Sequence, residues 1–461
     1  MSFRPELPQN VKRIIAKLED AGYEAYAVGG CVRDAILGRI PQDWDVTTSA
    51  TPVQVKEVFS HTVDTGIEHG TVTVLLNRQG YEVTTYRIDG VYEDCRHPSE
   101  VTFTASLTED LKRRDFTINA MAYNETDGLV DPFGGQDDLA NGLIRAVGNP
   151  EERFREDALR ILRAIRFAAQ LGFRIDSDTE AGMRKLSGNL KAVSAERVRE
   201  ELTKLLLSDH PEELVRASEC GLTAYWLPEW DRMLKTPQEN IHHIYDVGTH
   251  TMKAILALHE TEEYREAGKH ERVILNYTML LHDAAKPQCR TYDEAEGQAH
   301  FYGHQKAGAE LAREVMRRFR FDNETTDAVE KLVLYHDVRF RMDAGKEERS
   351  VRHLANRIGL ANTALLFPVQ KADILAQAPE CLKSGMDALT RMKAAYDVVV
   401  SEEQCVSLKD LSVKGADLMA LGFEAGPGLG RILSELLLDV LDNPEHNTKE
   451  YLLEKAISMK E

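Results

Sequence analysis

Apolar residues recur at Leu7, Val11, Ile14, Ile15 and Leu18, a spacing that predicts a helix over 7–22 with Gly22 as its stop. The period then changes. Ala25–Val28 is a continuous apolar run that predicts a strand; Gly29 and Gly30 follow it, and Cys31–Leu37 predicts the first turns of a helix. Thr51-Pro52 ahead of Val53, Val55 and Phe59 predicts a helix opened by proline in its first turn. Strand-like runs come next over 62–65, 70–76 and 81–86, so the opening of the chain predicts a small mixed sheet with helices on it. From Phe154 the pattern is helical. Phe154–Phe167 is free of Gly and Pro, 178–227 holds further amphipathic helices, Val273–Leu281 is an apolar helical run, and Met386–Val400 and Ile432–Leu441 add two more. This order predicts an α+β fold, a mixed-sheet head followed by an all-α remainder.

The turn at Gly29 and Gly30 is a candidate phosphate cradle, because glycine lets backbone N–H groups approach an anion and a helix N-terminus favours one. Asp43 and Asp45 stand two apart before Val46-Thr47-Thr48, and alternate residues of a strand project to one face. Two carboxylates on one face, with nothing basic between them, repel unless a divalent cation bridges them. Two such ions suit in-line attack on phosphorus, one activating the attacking oxygen and one neutralising the leaving phosphates, and a triphosphate is the natural ligand.

Tyr26–Asp34 together with Asp43-Trp44-Asp45-Val46-Thr47-Thr48 resembles the signature of the polymerase-beta-like nucleotidyltransferase superfamily, specifically the class II tRNA nucleotidyltransferases (CCA-adding enzymes) and bacterial poly(A) polymerases. The resemblance implies a nucleotidyltransferase head in which Asp43 and Asp45 are catalytic and hold Mg²⁺, with Gly29, Gly30 and Arg33 on the triphosphate. It extends to Leu111–Ala122, where Arg114 supplies a bidentate phosphate contact and Asp115 accepts from the ribose 2′-OH. Residues 87–108 are polar and long for a connection; in the family such a loop takes part in changing from CTP to ATP, and Tyr92-Glu93-Asp94 and Arg96-His97-Pro98 are kept here. Along Phe154–Phe167, Asp157, Arg160 and Arg163 lie three apart. A carboxylate there can accept from the exocyclic amine of C or A while a guanidinium donates to ring acceptors, and G or U would leave it unpaired. This matches the family's Glu-Asp-x-x-Arg nucleotide-selecting helix, with Arg163 and Arg166 in support. The region around Ser194–Leu202 corresponds to the family's neck, and Trp226–Gln238 reads as a linker. Val413–Leu418 with Gly426-Pro427-Gly428-Leu429-Gly430 resembles the family's tail; the glycines before the Ile432–Leu441 helix meet an RNA phosphate or, on spacing alone, form a helix–helix turn.

A second constellation runs from His242-His243 through His250 to His282-Asp283, His304, His336-Asp337 and Asp373. His-Asp at the end of an apolar helix, with a distant His before and a distant Asp after, resembles the metal pattern of HD phosphohydrolase domains. That implies a site of His250, His282, Asp283 and Asp373 for Mn, Co, Ni or Mg, with His304 and His336 as extra ligands, at which activated water attacks phosphate esters.

With 461 residues the chain is too long for one ordinary domain, and 43% hydrophobic content supports real cores. A net charge of −19 argues against a nucleic-acid partner only as a global sum. Local basic clusters exist at Lys112-Arg113-Arg114, along 153–166, along 191–204 and at Arg317–Arg320, the last reading as a solvated helix face. Six scattered cysteines lack any Cys-x-x-Cys pair, and residues 1–20 lack a signal-peptide core, so a soluble protein in the cytoplasm, with no membrane association, is expected.

The expected division is a head over 1–148, a neck over 149–230, an HD-type body over 240–385 and an RNA-binding tail over 386–461. The expected activity is addition of C, C and A to tRNA 3′ ends from CTP and ATP. A poly(A) polymerase or A-only enzyme is the nearest rival, then an HD-type phosphohydrolase acting on RNA ends, then a noncatalytic tRNA-binding protein; oligomeric state is left open.

Overall fold

The computed structural model describes residues 5–90, 101–241, 243–338 and 346–459. The chain divides into two compact units, Met1–Pro228 and Glu229–Glu461.

In the first unit, the helix Gln9–Asp20 buries Val11, Ile14, Ile15 and Leu18, the stripe expected from their spacing. A seven-stranded mixed sheet follows, in the order Thr62–Gly66, Thr71–Leu76, Gln79–Thr85, Val46–Thr48, Ala25–Val28, Ala122–Asn124 and Gly128–Val130. Ala25–Val28 is buried on both faces, which is why it reads as a continuous apolar run. The helix Pro52–Val58 opens with the expected proline and a reciprocal Thr51–Gln54 capping box. Register places the chemistry. Ala27 pairs antiparallel with Val46, and Val46 pairs parallel with Val83, so one residue earlier Asp45 lies between Val28 and Glu82. The strand itself begins at Val46, but Asp45 still accepts from the Val28 amide at 3.0 Å.

The stretch 87–108 is less irregular than its polarity suggested. Arg87–Asp89 pairs antiparallel with Val101–Phe103, and Ser106 caps a helix over Leu107–Lys112. Tyr92, Glu93, Asp94, Arg96, His97 and Pro98 lie outside the described residues.

Two expectations for the neck need correction. Phe154–Phe167 is not one helix: Pro150–Glu156 ends, Asp157 is extended, and a second helix runs over Leu159–Leu171. The cause is Asp157 itself, whose carboxylate accepts from the Leu159 amide at 3.0 Å and so opens the second helix as a capping residue would. Trp226–Gln238 does carry the division between the two units, as a linker would, but it is not unstructured. Pro228–Met233 is helical, with Trp226, Trp230 and Met233 buried, because an indole gains more from burial than a connecting segment offers in water. Trp230 has 0% exposure, and Trp230→Ala is expected to cost about 3–5 kcal/mol in denaturant unfolding. A loss below about 1 kcal/mol would contradict the packing of this indole.

The described residues of the second unit are mostly helical and include a short hairpin, Thr291–Asp293 with Gln298–His300, that the sequence pattern did not announce. The helix Pro379–Ser401 is longer than expected and runs through residue 385, where body and tail were divided. Leu411, Val413, Leu418, Leu436, Val440 and Leu452 are among the residues of a separate small core in the tail. Its glycine-rich segment is not a loop. The helix starts at Pro427 and takes in Gly428 and Gly430, since proline suits a first helical position. Among the described residues the cysteines are free and no helix is long and apolar enough to cross a membrane.

Candidate active site

Gly29 has φ +82° and turns the chain from the central strand into the helix Gly30–Ile36. A Cβ on Gly29 would stand 2.8 Å from Arg114 Nη1, so the missing side chain is what lets this guanidinium lie against the turn. Arg114 sits 3.6 Å from Asp110 Oδ2, and its buried Nε has no hydrogen-bond partner among the described residues. An orphaned guanidinium donor beside a glycine turn fits an anionic ligand.

Asp45 faces the same turn. Although solvent reaches it, crowding by protein, then the charges of Glu82 and Asp43, push its carboxyl above the ordinary range, against the pull of Arg114. Asp43, Asp45 and Glu82 therefore concentrate negative charge beside the start of the strand Val46–Thr48, and carboxylate oxygens are donors that suit a divalent ion. Asp43 and Asp45 were legible in the sequence. Glu82 was not, since its place depends on sheet register.

Arg33 and Asp115 belong to one buried relay. Arg33 donates to Asp34 at 2.8 Å and to Asn119 Oδ1 at 2.7 Å; Asn119 Nδ2 donates to Asp115 Oδ1 at 3.0 Å; Arg163 Nε donates to Asp115 Oδ2 at 2.7 Å. Burial opposes the charge on Asp115, but Arg163 and Asn119 outweigh it and hold this carboxyl well below its usual range. Both Asp115 oxygens thus accept inside the protein and tie the neck helix to the head, and each keeps a further lone pair. Asn119 and the fully buried Asp110, which accepts from Thr47 and Arg113, were missed in the sequence.

Asp157 and Arg160 are not paired with each other through their side chains. Asp157 Oδ2 accepts from Arg197 at 2.7 Å, whereas Arg160 donates to Glu156 at 2.6 Å and to the Arg113 carbonyl at 2.8 Å. Arg166 is buried, donates to Glu201 at 2.8 Å and stacks 3.6 Å over the Phe167 ring, so it braces two helices behind the nucleotide-selecting residues.

In the second unit all six sequence-selected side chains, His250, His282, Asp283, His304, His336 and Asp373, converge and are buried. His282 and Asp283 end the helix Lys269–Leu281, His250 lies on Val247–His259, His304 begins His304–Arg318, His336 follows Asn323–Tyr335, and Asp373 lies on Leu360–Leu375. Burial disfavours charge on His282, but Asp283 and Asp373 push it up to about 10. Lys286 lies 2.7 Å from Asp283. The cluster demands positive charge, which an ion of the kind expected would supply. Asp337 stays outside it, accepting from Gln305.

Comparison with known proteins bears on this architecture. Residues 25–145 match the Poly A polymerase head domain, 172–234 match the "Probable RNA and SrmB-binding site of polymerase A", and 293–456 match tRNA nucleotidyltransferase domain 2. A CCA-adding enzyme of Limosilactobacillus fermentum is 34% identical over 459 residues, covering 98% of this chain and 96% of that protein. The chain belongs to the CCA-adding enzyme family. A Streptococcus thermophilus CCA-adding enzyme is 33% identical across 100% of the chain and 99% of its own length. With the enzyme of Limosilactobacillus reuteri identity rises to 53%, but over 45% of this chain and only 51% of that protein. The crystal structure of the Bacillus stearothermophilus CCA-adding enzyme in complex with CTP superposes with a TM-score of 0.72 at 29% identity, covering 98% of both chains. The Thermotoga maritima CCA-adding enzyme complexed with tRNA shares the fold, with a TM-score of 0.59 at 21% identity. The mixed-sheet head and helical remainder of this family are those expected from the sequence.

Proposed function

We propose that the chain adds C, C and A to tRNA 3′ ends from CTP and ATP without a nucleic-acid template, releasing pyrophosphate. The observation that carries this is the meeting of Asp43, Asp45 and Glu82 with the Gly29–Gly30 turn and the unpartnered Arg114 donor. Asp43 and Asp45 would hold Mg²⁺, which when bound polarises phosphoryl oxygens and offsets developing charge. Arg114 and Arg33 take the triphosphate, while the glycines leave room for it to approach. For Asp157 and Arg160 to read a base edge, Arg197 and Glu156 must release them, so nucleotide entry exchanges one set of charged partners for another. A cytoplasmic setting accords with free cysteines.

The assay is direct: offer tRNA ending at the discriminator base, at C and at CC, with each nucleoside triphosphate alone. CTP should extend only the first two and ATP only the third; unlimited extension by ATP would make the chain a poly(A) polymerase. Asp157→Ala should relax base choice by about 10–100-fold, as kcat/KM for UTP against CTP, while slowing CTP addition less. Unchanged selectivity would place base reading elsewhere.

The buried His/Asp cluster supports a second reading for the other unit: His250, His282, Asp283 and Asp373 hold a divalent ion, Mn, Co, Ni or Mg, for hydrolysis of phosphate esters such as a blocking phosphate at an RNA 3′ end.

A further inference from the structure

Phe167 is a buried ring on the helix Leu159–Leu171, yet its neighbours include three cations. The guanidinium carbons of Arg33, Arg163 and Arg166 stand 5.0, 5.2 and 3.6 Å from its centroid. Phe116 meets it edge-on, with centroids 5.8 Å apart and ring planes at 82°. A leucine would fill such a space. A guanidinium laid against aliphatic carbon gains nothing for the water it gives up, however, whereas the negative face of a ring attracts it. Each cation also has its own carboxylate, Asp34, Asp115 and Glu201 in turn, which offsets the repulsion of like charges gathered around one ring.

Two of these arginines are the ends of the buried relay. Arg33 reaches Asp115 through Asn119, and Arg163 reaches it from the other side. Phe167 therefore closes the relay into a loop, with polar bonds along one side and the ring along the other. Arg33 is the end that lies against the glycine turn, since a Cβ on Gly30 would stand 3.6 Å from its Nη2. Its Nη1 gives one N–H to Asn119 and its Nη2 one to Asp34, so each nitrogen keeps a second N–H for a phosphate oxygen. Bonds in the guanidinium plane resist motion within that plane, and contact with a ring resists motion out of it.

We propose that Phe167 is a positioning residue for nucleotide addition: from the neck helix its ring holds the Arg33 guanidinium in place at the glycine turn, so the neck takes part in the grip on the triphosphate. This rests on the reading that Arg33 and the Gly29–Gly30 turn receive the triphosphate. Because CTP and ATP carry the same triphosphate, loosening Arg33 acts on both alike. It acts on binding more than on the chemical step, which belongs to Asp43 and Asp45.

The test replaces Phe167 in the full chain by phenylalanines carrying one, two and three ring fluorines, which keep the ring's shape and withdraw charge from its face. The KM values for CTP and ATP should climb together with each fluorine, reaching about 5–10-fold at three. The kcat values should stay within about twofold. The same series at Phe154, a fully buried ring with no cation over it among the described residues, should leave both KM values unchanged. Thermal midpoints of both series separate positioning from packing, because a ring that only fills space would shift the midpoint and leave KM flat. Flat KM values across the Phe167 series, or an equal climb at Phe154, in a chain that adds nucleotides would overturn this inference and leave the proposed function standing. No addition by the unsubstituted chain would overturn both.

Discussion

Asp45→Asn and Asp43→Asn should each abolish nucleotide addition while tRNA binding stays intact or tightens slightly. Asn keeps the size of the side chain and removes the charge, so local packing is retained and Glu82 is left without the partners needed to hold an ion. Loss of several kcal/mol of charge stabilisation corresponds to a fall of about a thousandfold or more in kcat. RNA affinity depends on cations against phosphates, so removing a negative charge weakens nothing there. Single-turnover addition and filter binding measured on the same preparations separate the two effects. A variant that keeps a tenth of parental turnover would contradict the carboxylate assignment.

Gly29→Ala is the second large effect. The position has φ +82° and ψ −132°, a sparsely populated backbone region that costs an L-residue about 1–3 kcal/mol, and the new Cβ would stand 2.8 Å from Arg114 Nη1. Arg114 must therefore move from the turn where its unpartnered donor awaits a phosphate. KM for CTP and ATP should rise together, with kcat/KM down about 10–100-fold. Gly38→Ala is the control, since Gly38 has φ +70° but open space around its Cβ position. It should lose comparable stability and leave both KM values unchanged. If the two variants lose activity equally, backbone strain explains the loss and Arg114 has no special place.

These expectations show what could be read before the structure and what could not. The strand–glycine–helix turn and the two aspartates were legible because their chemistry is local: a few consecutive residues decide backbone path and charge. The six His and Asp side chains of the second unit were legible by residue type, although their convergence required coordinates. Glu82 sits in an alternating strand like any other polar residue, and only the pairing of Val46 with Val83 brings it to Asp45. Asp115 and Arg163 lie 48 residues apart, and only the structure shows that they pair with each other. The bracing contact of Arg166 was hidden for a similar reason, since its partner Glu201 lies on another helix. The break at Asp157 was hidden by a window free of Gly and Pro, although aspartate is itself a helix-starting residue.

The most direct test of the central proposal is the 3′ sequence produced from tRNA that ends at the discriminator base when all four nucleoside triphosphates are present together. Mass spectrometry of the terminal fragment should show C, C and A added in that order and then no further growth, with no product from the Asp43→Asn, Asp45→Asn chain. A heterogeneous tail, a run of A, or an identical product from the doubly substituted chain would contradict it.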